Sequence, residues 1–86
     1  MINKKDNPVE WSILLYELED LADHSTKLIE EMQTNPSYGE EEFAIDIGHL
    51  YAHLNRAWNS RNFNKEPTED EWQKNTEFPS DIQPVG

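Results

Sequence analysis

PVEWSILLYELEDLADHSTKLIEEMQTN, residues 8–35, is the stretch on which the fold turns. Trp11, Leu18, Ser25 and Met32 recur every seven residues, as do Leu14, Leu21 and Leu28, and as do Leu15, Ala22 and Ile29. Three positions per heptad make a stripe wider than the two-position seam of an isolated coiled coil, and a stripe of that width suits a helix lining a bundle core. The start signals agree: Asn7 offers a cap, Pro8 suits the first helical position, and Glu10 stands three residues after the cap. Ser25, the one polar member of the stripe, reads as a close helix crossing or a hydroxyl bonded back to its own helix rather than as a nucleophile.

Asn35-Pro36 ends this helix, because the residue before proline avoids helical angles. Ser37-Tyr38-Gly39-Glu40 then has the form of a capping box, and Glu40, Glu41 and Glu42 occupy a first turn, where acids are favoured. A second stripe follows in Phe43, Ile47, Leu50, Leu54 and Ala57, widened by Ala44, Tyr51 and Trp58. The expected architecture is all-α. Helices over about 8–34 and 38–61, joined by a turn of about three residues, form an antiparallel hairpin spanning 8–62. Residues 1–7 read as a flexible N-terminus. Residues 63–86 read as a linker, a short helix over about 69–75 opened by the Thr68–Glu71 capping box, and an extended tail. Trp72, Phe78 and Ile82 are large apolar residues for a loose tail, so the tail is expected to pack back on the hairpin and cover Val9, Ile13 and Tyr16.

A chain of 86 residues without cysteine has neither disulfides nor thiolate metal sites to support a small core. What remains is a partner, a carboxylate or imidazole metal site, or very good packing. Ile45, Gly48 and Ala52 lie off the main stripe and would let another backbone approach, which points to a homodimer forming a four-helix bundle, or to another protein partner. The net charge of −11 opposes direct binding to nucleic acid or anionic lipid. No apolar run reaches the roughly 20 residues needed to span a bilayer. The polar start Met1–Asn7 is not that of a signal peptide, so a cytoplasmic protein is expected. The charge is uneven: residues 47–65 hold Arg56, Arg61 and Lys65 and no acid, while Glu30, Glu31 and Glu40–Glu42 gather around the turn. Arg56 and Arg61 are expected to face the acids of the first helix, Glu10, Glu17 and Glu19.

The most chemical stretch is Asp46-Ile47-Gly48-His49-Leu50-Tyr51-Ala52-His53. His49 and His53 are four apart and Asp46 precedes His49 by three, so all three share a helix face and could hold a divalent metal. The pattern departs from known metal helices, since Leu50 stands where a zinc-protease helix has Glu and there is a single Asp-x-x-His. Without a metal the same residues make a solvated polar face. His24 reads as a surface pair with Asp20 or Lys27. No Gly-rich phosphate loop, nucleophile elbow or Ser-His-Asp spacing is present, so catalysis is not expected. The leading expectation is a small acidic interaction or regulatory protein. The alternatives are a metal-binding helical protein using Asp46, His49 and His53, and an acidic inhibitor that mimics nucleic acid towards a basic partner.

Overall fold

Three helices and no strand make up the chain, whose computed structural model describes residues 1–86: α1 (Pro8–Thr34), α2 (Glu40–Asn59) and α3 (Glu69–Lys74). The two long helices pack against each other as the hairpin. Asn35 adopts the extended angles that Pro36 demands, φ −108° and ψ 103°. α2 starts at Glu40, two residues later than its sequence suggests, because Gly39 and not Ser37 is the cap. The Glu42 carboxylate accepts from the Gly39 N–H at 3.0 Å, while the Ser37 N–H donates to Asn35 Oδ1 at 2.9 Å. Asn7 does not cap α1 with its side chain. That side chain accepts instead from the Asn3 N–H, closing a turn at Asn3–Asn7. At the N-terminus the Ile2 N–H donates to the Arg61 carbonyl at 2.8 Å and the Ile2 side chain is buried, while residues 3–6 are exposed.

The stripes of α1 and α2 do not meet head-on. Leu14, Leu21 and Leu28 point toward α2, with Leu14 and Leu28 buried, whereas Leu18, Ile29 and Met32 are 43%, 55% and 52% exposed. On α2 the inner edge is His53 and Leu50, and Phe43, Tyr51 and Leu54 stand open. Helical periodicity places the exposed members of both stripes on one side of the hairpin plane, since Leu14 and Leu18 line the same groove as Tyr51, Leu54 and Trp58. The hairpin therefore has an apolar face, a seam and an opposite polar face. Ser25 donates back to the Leu21 carbonyl at 2.7 Å.

Residues 60–86 wrap the open end as a collar. Trp72 of α3 lies beside Val9, Ile13 and Tyr16 on the polar side. The chain then passes the outside of α2. There Asn55 donates to the Thr76 carbonyl at 2.8 Å, and Asn59 donates to the Asn75 and Glu77 carbonyls, each at 2.9 Å. Phe78 reaches the apolar side and meets Tyr51 edge-on at 5.0 Å. Arg61 spans 3.1 Å to Asp81, and the Trp58 indole N–H donates to the same carboxylate at 2.8 Å. These two contacts clasp the tail, and the indole donation, with Arg61 beside it, holds the Asp81 carboxyl below its usual pKa. Val9 and Tyr16 remain largely exposed, so α3 covers only part of the patch assigned to the tail. No helix is long and apolar enough to cross a membrane.

Candidate functional site

A polar layer crosses the seam where two apolar stripes would ordinarily interlock. Glu17, a heptad-edge residue of α1, is buried against His53 and Arg56 of α2. Its Oε1 lies 2.7 Å from His53 Nδ1, and its Oε2 accepts from Arg56 Nε at 2.7 Å. A carboxylate only accepts, so this short contact takes its proton from His53 Nδ1, a nitrogen that Arg56 Nη2 also approaches at 3.1 Å, and Nε2 points away from Glu17. Arg56 is thus paired as the charge pattern suggests, whereas Arg61 turns to Asp81 and not to α1. Burial of an ion pair is tolerable here because each carboxylate oxygen has a donor.

Beyond this layer three imidazoles converge. His49 Nε2 lies 3.0 Å from His53 Nε2. In the tautomer that has His53 protonated on Nδ1 alone, the proton in that contact comes from His49 Nε2. His24 comes across from α1, its ring 4.3 Å from that of His49 and stacked on that of His53 at 5.2 Å. One ring nitrogen from each of the three falls within 4.8 Å of the others. His24 is half-buried, His49 exposed and His53 buried. Desolvation against its neighbours, then the positive charge that His24, His53 and Arg56 bring to bear, hold the His49 pKa below the usual histidine value.

The set predicted from α2 alone is therefore rearranged. His49 and His53 do come together, and Asp46 does not join them: its carboxylate accepts the Tyr38 hydroxyl at 2.6 Å. Partial burial and that bond to a carboxylate push the Tyr38 pKa up to about 12. Asp46 instead walls a cleft of about 460 Å³ onto which His24 and His49 open, together with Glu31 and Glu42. His24, read from sequence as a partner of Asp20 or Lys27, is the missed member, while Lys27 pairs with Asp23 at 3.8 Å.

The other feature of size is the apolar groove between the hairpin and the tail, about 700 Å³, walled by Leu14, Leu18, Leu54, Trp58, Phe78 and Ile82. It opens onto the rest of the apolar face. Comparison with known proteins finds no match for this chain among family models, curated proteins or solved structures.

Proposed function

We propose that the chain is a small non-catalytic interaction protein whose apolar face pairs with that of a second copy to form a four-helix bundle. The carrying observation is exposed area. The folded chain presents 6712 Å² to solvent. A monomer of this mass ordinarily presents about 5,300 Å². Leu15, Leu18, Ile29 and Met32 of α1 and Phe43 and Leu54 of α2, six large side chains on one side of the hairpin, contribute to it, alongside Val9, Tyr16 and Ile45 elsewhere on the surface. A stable pairing buries on the order of 800 Å² per partner, which this face can supply.

Charge supports a second copy laid antiparallel across the first. A parallel arrangement would bring both acidic turns together, Glu30, Glu31 and Glu40–Glu42 from each copy. A two-fold axis through the middle of the face separates them and pairs like patches with like, as an isologous interface requires. The docking face is then the Leu18–Leu54 side, in place of the Ile45–Gly48–Ala52 edge that small residues alone would suggest.

Sedimentation at micromolar concentration tests this reading. Twice the chain mass is expected, and Leu18→Glu with Ile29→Glu should return it to the chain mass with helical circular dichroism retained. A wild-type chain that stays at its monomer mass at tens of micromolar overturns the reading.

A further inference from the structure

We propose that His24, His49 and His53 together bind one divalent ion of the zinc class, through one ring nitrogen each, on the face opposite the apolar one. The inference goes beyond the interaction reading and does not depend on it.

Three imidazoles are the donor set that zinc, copper, nickel and cobalt favour over magnesium or calcium. Tetrahedral coordination at about 2.0–2.1 Å sets neighbouring nitrogens about 3.3 Å apart. Here they lie within 4.8 Å, with the His49–His53 pair already at 3.0 Å. The remaining adjustment falls on His24 and His49, the two rings with room to move. The buried ring is the one already oriented. Glu17 holds His53 Nδ1–H at 2.7 Å, the carboxylate–imidazole arrangement that fixes the tautomer and aim of metal-ligating histidines. Glu17 is in turn fixed by Arg56. In the tautomer where His49 Nε2–H donates to His53 Nε2, that proton lies in the place of the ion, and binding moves it to Nδ1 and leaves the lone pair for the metal.

The charges nearby fit a cation. Arg56 is paired with Glu17, and three acids, Asp46, Glu42 and Glu31, line the approach against one base, Lys27, which leans to Asp23 at 3.8 Å. That cleft also leaves a fourth coordination position facing water. Three histidines from two helices bridge α1 and α2 across a seam that has few apolar contacts, so the ion would also serve as a staple.

The test uses the full chain, purified without a histidine tag and stripped with chelator. Titration with Co²⁺ followed by visible absorption, and with Zn²⁺ by calorimetry, should give one ion per chain with micromolar or tighter affinity. His24→Ala and His49→Ala, neither at a buried position, should each weaken binding by at least about 100-fold, more than the loss of an outer partner does. Circular dichroism establishes that both fold. Asp46→Asn should leave affinity within about threefold, well short of the loss of an outer partner. The dimer-breaking pair Leu18→Glu with Ile29→Glu should leave it unchanged, which separates this site from the interface. Affinity no tighter than about 1 mM overturns the proposal, as does binding that survives both histidine substitutions. A loss in Asp46→Asn as large as that in His49→Ala also overturns it and moves the site to the α2 face alone.

Discussion

At the scale of single residues, Glu17 is the side chain on which the seam depends. Glu17→Ala leaves the Arg56 guanidinium and His53 Nδ1–H without their acceptor in a buried layer. Breaking such a pair from one side costs about 3–5 kcal/mol, read by urea unfolding. Glu17→Leu combined with Arg56→Met should recover only part of that loss, since the ion pair is then removed whole while His53 Nδ1–H stays without its acceptor. His49 sets a different dependence. Its pKa is lowered in the folded chain, so on acidification the unfolded chain takes up the proton first and stability drains away. The loss begins as pH falls through about 6.5, the free histidine value, and levels off below the folded value. His49→Gln should flatten the unfolding free energy across that window. The sequence made His49 and His53 legible because four residues along a helix is a fixed geometry. Asp46 satisfied the same spacing and was diverted by Tyr38, a residue outside the helix whose reach no periodicity encodes. His24 required the register of one helix on another. A signal was present: His24 lies twelve residues before Pro36 and His49 twelve after Ser37, so a hairpin turning there brings them level.

At the scale of elements, the stripes announced two helices and a short turn, and both are present because propensity, caps and Pro36 all act locally. What local rules left open was the direction in which each stripe faces. Leu18 and Ile29 belong by spacing to a core that two helices alone cannot close. Gly48 gives a clean measure of the outer edge of α2. A Cβ there meets nothing within 4 Å. Gly48→Ala should therefore stabilise the chain by about 0.5–1 kcal/mol through helix propensity and leave self-association intact. The collar is held by Asn55, Asn59 and Trp72. Removing residues 66–86 deletes those bonds and uncovers Ile13, a cost of about 2 kcal/mol or more. Differential scanning should show a fall of at least about 8 °C, at about 4–8 °C per kcal/mol for a domain of this size.

At the scale of the molecule, two opposed faces differ in character: an apolar one that a second copy would cover in the proposed bundle, and a histidine-bearing one that would then stay outward. Each copy carries −11, so association brings like charges together. Raising sodium chloride from about 0.02 M to 0.5 M, where the screening length shrinks well below 10 Å, should tighten the dimer, the opposite of the trend for an attraction between unlike charges. Sedimentation at the two salt concentrations reads it directly. The collar has a consequence in time as well as in energy. Contacts across the hairpin are nested about the turn, and those near it close the shortest loops. Helices and a small loop form within microseconds, so the turn end can zip first and the open end last. The Asp81 clasp onto Trp58 and Arg61 joins segments 20 or more residues apart and closes after the helix beneath it exists. With Trp11→Phe and Trp72→Phe leaving Trp58 as the one tryptophan, its emission should report a late event in refolding and the earliest one in unfolding, with the tail lifting before the hairpin opens.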